Sequence, residues 1–380
     1  VLLGAFAAIG LVAGAVSLTL GQSLNFHVFR QAALDLLAGR DLYTKRADDY
    51  FKYSPTFALL FAPLALLPQW ISAPAWSLAN FMAAFFGIDR VVSNDREKRV
   101  AMLVALVGIA LSTDGDQSNL LVAGALLLAL DAFEKRREVS AASLITGAAF
   151  VKLFPAIGAT LALFSARRGR AVAALLLSGL AWLVLPLLVL SPRALAGEYA
   201  SWRKLLSWDC RNHGWSVMSV VQDSMHLRCS SMSLQILGGL LMLLPLFAGA
   251  HFGTSAPWRR TLLASLLVVA VLFNHRAEYT SYVLSAIGIA IWYTAAPRGL
   301  PTAALVILAL VAPGPFHTTV DPRVTGVFAF LGAHRQFHVL RVLPLFAVWL
   351  VMLRDLLRPF VTVRLSVTLS RMEEHSLAGR

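Results

Sequence analysis

Three polar features stand out because each interrupts apolar sequence. Asp114-Gly115-Asp116-Gln117-Ser118-Asn119 lies between two apolar runs. Carboxylates and amides at a helix mouth can bind sugar hydroxyls or accept a proton. Helix capping is the alternative, but it needs fewer polar residues than these. Asn274-His275-Arg276-Ala277-Glu278 is wedged between two further apolar runs with no flanking loop. Its cations suit an anionic leaving group, and Glu278 suits a base or an ion-pair partner. Lys152 stands alone inside the apolar stretch 139–165. A lysine at mid-span costs about 2.5–3.5 kcal/mol on insertion scales and marks function by default. A lipid phosphate would be a fitting partner; snorkelling to the headgroups is the alternative.

A fourth patch follows the first apolar run. Asn25, His27, Arg30, Asp41 and Tyr43 are followed by Lys52-Tyr53-Ser54-Pro55. Residues 26–38 have apolar positions at helical spacing, which predicts an amphipathic helix on the membrane surface, stopped by Gly39. Residues 56–67 are too short to span and read as interfacial or re-entrant. Cys/His metal spacing is absent, and no nucleotide-binding or hydrolase fingerprint is present. No cofactor and no metal are therefore expected. Cys210 and Cys229 share one loop, and a disulfide between them is plausible if that side is oxidising.

These side chains need a scaffold, and the composition says which kind. Of 380 residues, 58% are hydrophobic and only 14% charged, with a mean hydropathy of +0.70. Water-soluble domains run nearer a quarter charged. At roughly 20 residues per crossing there is room for about ten to twelve helical spans. The expected fold is an all-α polytopic membrane bundle, read as a single domain over 1–380. Apolar runs lie at 1–20, 70–89, 99–112, 118–133, 141–165, 171–190, 233–251, 260–274, 277–295, 300–315 and 338–357. The first is read as a retained helix rather than a cleaved leader, because no basic segment is visible before it.

Charge sets the orientation. The net formal charge is +13, and the short basic clusters make lipid headgroups a simpler partner than nucleic acid. The clusters at 90–99, 135–137, 167–170 and 259–260, with the tail 358–380, are placed in the cytoplasm. The loops 21–69, 191–232 and 316–337 then face outward with the short connections at 113–117 and 274–277, and seven of the nine histidines, His275 and His338 included, face that side. A single crossing at 139–165 would put one basic flank on the wrong side. Two half-helices turning at Lys152-Leu153-Phe154-Pro155 satisfy both flanks, as is tolerated where the turn lines a cavity.

The patches, in this order, resemble glycosyltransferase family 87 of the GT-C superfamily over roughly 21–295. The resemblance rests on Phe26-His-Val-Phe-Arg-Gln-Ala-Ala, Gly39-Arg-Asp41-Leu-Tyr43 and Tyr53-Ser-Pro55-Thr-Phe-Ala-Leu-Leu-Phe-Ala-Pro63. It extends to Trp76-Ser-Leu-Ala-Asn80, Gln117-Ser-Asn119, Lys152-Leu-Phe-Pro155 and Asn274-His-Arg-Ala-Glu278. It implies inverting transfer of a mannose-like or arabinose-like sugar from a polyprenyl-phosphate carrier to a glycolipid or glycan. The reaction would take place at the outer face of a bacterial cytoplasmic membrane. Relatives place a carboxylate base at the position of Asn25, which cannot take a proton. Asp116, Glu278, Asp114 or Asp41 would replace it, with Asp116 or Glu278 preferred. Lys152, His275 and Arg276 would hold the donor phosphate. His27, Asp41, Gln117, Asn119 and Asn274 would bind sugar or acceptor. The rival readings are a transporter or flippase of lipid-linked sugars, and a non-catalytic relative that binds them. The whole reading requires Lys152, Gln117 and Arg276 to face one hollow.

Overall fold

The computed structural model describes residues 1–21, 23–45, 49–112, 117–209, 214–313 and 338–378; side chains of 111, 112, 209, 279 and 361–378 are not described. The described chain is helical throughout, with no strand. Four helices are long and apolar enough to cross a bilayer by themselves: α1 (Leu2–Thr19), α4 (Gln69–Val91), α8 (Arg168–Val184, extended by a 3-10 turn to Leu188) and α11 (Ser231–Phe252). The intervening apolar runs fold as α5 (Asp95–Ser112), α6 (Asn119–Glu134), α7 (Glu138–Val151), α12 (Ala256–Leu272), α13 (Tyr282–Tyr293) and α14 (Leu300–Val311). The last helix, α15, runs unbroken from His338 to Ala378 and so includes the segment read as a tail.

The helices form two neighbouring groups. In one, α1, α4, α6, α7 and α8 each contact the next; in the other, α12 packs on α13 and α15, α13 on α5, and α14 on α15. α6 touches both α12 and α13 and joins the groups. Close approach depends on small residues, which let van der Waals packing and backbone contact replace the hydrophobic drive that lipid removes. A Cβ on Gly14 of α1 would lie 2.7 Å from the Ala73 carbonyl of α4, and one on Gly124 of α6 only 2.3 Å from that of Ala83. α12 beyond Arg260 and α13 are largely apolar all round and almost wholly buried, as such helices must be. By contrast α8 and α11 expose Leu176, Leu177, Leu240 and Phe247 outward, a surface suited to acyl chains rather than water.

One end of the bundle is tied by ion pairs. Arg259 of α12 grips Glu134 at the end of α6, with Nε at 2.6 Å and Nη2 at 2.7 Å. Arg260 reaches Glu97 of α5 at 3.5 Å, and Lys98 reaches Asp89 of α4 at 2.8 Å. The basic clusters read from the sequence therefore collect at the same end.

The first long loop holds two helices, α2 (Leu24–Leu37) and α3 (Pro55–Ala65), packed against each other. α2 buries Phe26, Phe29, Ala32, Ala33 and Leu36. The Phe29 ring meets Tyr53, Phe57, Phe61 and Trp76 edge-on at 4.8–5.9 Å, the geometry that ring quadrupoles favour. The surface helix of the sequence reading is thus clamped on α3 and α4. Gly39, at φ +65°, ends it in a conformation that costs glycine little. α9 (Pro192–Asp209) and the single turn α10 (Val217–Ser219) occupy the second long loop.

α7 breaks where expected. Lys152 is extended at φ −140°, ψ 144°. Pro155 then opens a 3-10 helix, Phe154–Phe164. The second half folds back on the first: a Cβ on Gly158 would sit 3.6 Å from Ile145.

Candidate functional site

The break in α7 has a purpose in the geometry. It frees Lys152 from a helical neighbourhood and aims the side chain at the start of α6. Lys152 Nζ donates to Asn119 Oδ1 at 2.7 Å and to Gln117 Oε1 at 3.2 Å. The same ammonium lies 5.8 Å from the centre of the Tyr53 ring, within cation–π range. Asn119 is fixed from its other side, donating from Nδ2 to the Thr280 carbonyl at 2.8 Å. That bond decides which amide atom faces the lysine.

Lys152 and Gln117 line one wall of a cavity of about 680 Å3, within the size range of small-molecule sites. Its opposite wall is the segment after α12. Asn274, His275, Arg276 and Glu278 all border the space. This turn is held at its start by α12, where Asn274 N–H donates to the Val271 carbonyl at 3.3 Å, and beyond it by backbone bonds from the loop before α10. Gly214 N–H donates to the His275 carbonyl and Trp215 N–H to that of Ala277, each at 2.6 Å. Asn274 Oδ1 accepts the Arg276 N–H at 3.0 Å. His275 Nδ1 is 3.2 Å from Gln235 Nε2 of α11. Glu278 takes its backbone orientation from Ser281, whose Oγ accepts the Glu278 N–H at 3.2 Å.

A third wall comes from the first long loop, where Asn25, Asp49, Lys52 and Tyr53 border the cavity. Asp49 Oδ2 pairs with Lys52 Nζ at 3.0 Å, while its Oδ1 accepts the Tyr50 N–H at 2.7 Å. Trp202 of α9 holds this loop down, donating from Nε1 to the Lys52 carbonyl at 3.0 Å. Ser54 caps α3, accepting the Phe57 N–H, and its own hydroxyl donates to the Phe150 carbonyl. That hydroxyl therefore fastens the loop to α7 two residues before Lys152. Burial holds the Tyr53 phenol above its ordinary range, so its ring stays neutral beside the lysine. The lining also has an apolar stretch: Val28, Phe154, Ile157, Val269, Ala270 and Phe273. Gly239 of α11 also lines the cavity, beside the outward-facing Leu240 and Ile236.

Of the residues singled out from sequence, Asn25, Gln117, Lys152, Asn274, His275, Arg276 and Glu278 border this one space. Asn119 stands immediately behind Lys152. Two others lie elsewhere. His27 is bonded to Ser23 at 3.1 Å and does not border the cavity. It lies two positions, about 200° round the helix, from Asn25. Asp41 serves its own turn, accepting the Tyr43 N–H at 3.2 Å and the Thr44 hydroxyl at 2.6 Å. Asp114, Asp116 and Cys210 lie outside the described residues, and with them the disulfide; Cys229 is a free thiol among those described. His213, His317, His334 and the third outer loop, 316–337, also lie outside them. No cluster of metal-binding side chains is found among the described residues.

Asp49, Lys52, Trp202 and Gln235 were not singled out as site residues. Asp49 carried a weak signal, a carboxylate in an outward loop. Trp202 and Gln235 carried none, since each reaches the cavity from a remote helix.

Among curated proteins, none matches the chain significantly. The block from Phe26 to Tyr43 falls before the region matched by a family model, while everything from the aromatic clamp around Tyr53 to the end of α14 lies within it. That region, residues 51–313, matches the model of glycosyltransferase family 87; it is well over half of the chain, and the protein belongs to that family of membrane glycosyltransferases.

Proposed function

We propose that the 680 Å3 cavity is the catalytic chamber and that its donor is a polyprenyl-phosphate sugar. One observation carries the reading: Lys152, His275, Arg276 and Glu278, drawn from two distant segments, border one space that also has an apolar stretch of wall in Val28, Phe154, Ile157, Val269, Ala270 and Phe273. Cations beside an apolar lining suit a donor with a phosphate head and an isoprenoid tail. The tail would enter beside Gly239, where a Cβ meets nothing within 4 Å.

In the proposed step the acceptor hydroxyl oxygen attacks the anomeric carbon from the face opposite the phosphate. The new C–O bond forms as the anomeric C–O(phosphate) bond breaks, and configuration inverts. The electron pair of the broken bond leaves on the polyprenyl phosphate, whose charge Lys152 and Arg276 stabilise. The acceptor proton passes to Glu278. Among the described residues Asp49 is the second carboxylate bordering the cavity, but its Oδ2 is already engaged by Lys52 at 3.0 Å. Asn25 would orient a hydroxyl without taking a proton. A mannose-like or arabinose-like sugar, a glycolipid or glycan acceptor and an outward-facing chamber in a bacterial cytoplasmic membrane complete the proposal.

The test is transfer from purified polyprenyl-phosphate sugars by protein in lipid nanodiscs. Glu278→Gln is expected to lower kcat by about 10²–10⁴-fold, with Asp49→Asn much less affected. Full turnover in Glu278→Gln refutes the assignment of the base; absence of transfer from any polyprenyl-phosphate sugar by the wild type refutes the donor.

A further inference from the structure

α12 has a cavity at each of its ends. Its last turn, from Val269 to Phe273, borders the catalytic chamber. Pro257, Trp258 and Thr261 in its first turns border a second cavity of about 410 Å3. Twelve residues of helix, about 18 Å, separate Pro257 from Val269. The second cavity shares no residue with the first and lies at the end tied by the ion pairs of Arg259 and Arg260.

Its described lining is rich in cations: Arg298, Arg354 and Arg358 border it, and among the described residues Asp355 is the carboxylate on its wall. Asp355 engages both Arg298 and, at 3.2 Å, Arg354. Arg298 is the built element. Its side chain is only 10% exposed, and its guanidinium lies over the Trp292 ring, 4.2 Å from the centre. One nitrogen donates to Asp355 and another to the Trp292 carbonyl at 3.3 Å. Its Nε–H is buried without an acceptor, although buried donors are almost always satisfied.

Two helices start at the same cavity. α12 begins beside Ser255 and Pro257, and α14 begins at Gly299, with Thr302 in its first turn also on the cavity wall. Ser255 caps α12 by accepting the Trp258 N–H. Gly299 has no side chain with which to cap α14; Pro301 has no N–H and Ala303 N–H donates to the Gly299 carbonyl, which leaves the Leu300 and Thr302 N–H groups ahead of the first intrahelical acceptors. Both helices direct their positive ends at the space, an arrangement that favours anions.

The geometry points to a second binding site in this cavity for a phosphate-bearing anion. Its oxygens would accept from the first turn of α14 and from Arg354 and Arg358, with Arg298 fixing the wall beside them through Asp355 and Trp292. The site stands at an end of the bundle where charged side chains meet lipid headgroups. The phosphate would come either from an anionic phospholipid of that leaflet or from free inorganic phosphate. The inference does not depend on the identity of the donor in the chamber at the other end.

The test uses full-length protein in detergent, with native mass spectrometry of bound lipid and thermal unfolding as readouts. Phosphatidylglycerol and phosphatidylcholine are compared in one arm, and inorganic phosphate and chloride at equal ionic strength in the other. The expected result is one tightly retained phosphatidylglycerol, preferred roughly fivefold to tenfold over phosphatidylcholine. In Arg354→Gln/Arg358→Gln, at two exposed positions, the preference is expected to fall to about unity without a change in unfolding temperature. Asp355→Asn is expected to raise it. Stabilisation by inorganic phosphate without lipid preference, lost in the same double variant, assigns the site to free phosphate. No effect of either ligand, or equal effects on wild type and double variant, overturns the site. Because Arg298→Gln removes a buried contact, the exposed pair decides the outcome.

Discussion

Lys152 Nζ lies 2.7 Å from Asn119 Oδ1, a side chain 33 positions earlier in the sequence. The contact joins the broken end of α7 to the first turn of α6. It also positions a cation where the two segments and the post-α12 turn converge. Asn119 can hold it because Thr280 accepts its amide N–H from behind.

Lys152→Met removes this cation while keeping the side chain's length. Transfer should fall by about 10²–10³-fold. Lys152→Arg should not restore it, because a planar guanidinium fork cannot reproduce an ammonium placed between two amide oxygens. Steady-state kinetics on protein of unchanged elution volume checks both. Full activity in Lys152→Met excludes a role in holding the leaving phosphate.

Gly239→Phe tests the lateral entrance. A Cβ there meets nothing within 4 Å, so the ring can be accommodated and the bundle should still fold. It would nevertheless project into the route proposed for the isoprenoid tail. KM for a long-chain donor should rise several-fold, with a smaller effect on a short-chain analogue. Equal effects on both donors would argue against entry at this point.

Gly124→Leu tests the backbone contact between α4 and α6. Its Cβ would lie 2.3 Å from the Ala83 carbonyl, and neither backbone can yield without separating the helices. Overpacking of this kind costs about 1–3 kcal/mol, occasionally more. The expected outcome is a lower unfolding temperature in detergent and loss of activity in proportion to loss of folded protein. A wild-type unfolding temperature would contradict the packing.

Glu198 on α9 gives a pH dependence. Burial pushes its carboxyl above the ordinary value of 4.5; the Leu42 N–H pulls the other way and the Asp41 charge adds to the rise. The folded protein therefore binds this proton more tightly than the unfolded chain. Its contribution favours folding below pH 4.5 and is lost as pH rises toward the raised value. Glu198→Gln keeps an acceptor for Leu42 N–H and removes the titration. Unfolding temperatures measured across that window should decline less with pH in the variant than in the wild type. Parallel curves would rule out the effect.

Much of the fold was legible because lipid imposes a strong constraint: every backbone polar group must be satisfied within the segment, so apolar runs become helices. Lys152 beside Pro155 announced the break in α7, since a charge and a ring that cannot continue a helix both oppose a straight span. Asn274 to Glu278 was readable as a polar turn for the same reason, although Asn274, His275 and Arg276 are half-buried and Glu278 is exposed rather than buried. These are local conflicts between side chain and solvent, and one sequence displays them directly.

Which polar groups share a cavity was decided by packing. His27 and Asn25 look equally chemical in the sequence, yet helix phase places only Asn25 on the cavity wall. Asp41 and Asp49 are both carboxylates in the first long loop. A turn captures one, while Trp202, 150 residues away from Lys52, presses the other's segment against the cavity. Contacts at that separation depend on how the helices meet, and glycines such as Gly124 set that approach by what they lack. The sequence by itself determined the membrane-spanning helical class, the break at Lys152 and the polar runs. Only the tertiary structure decided their convergence, because it depends on side-chain direction and close backbone approach between segments remote in the chain.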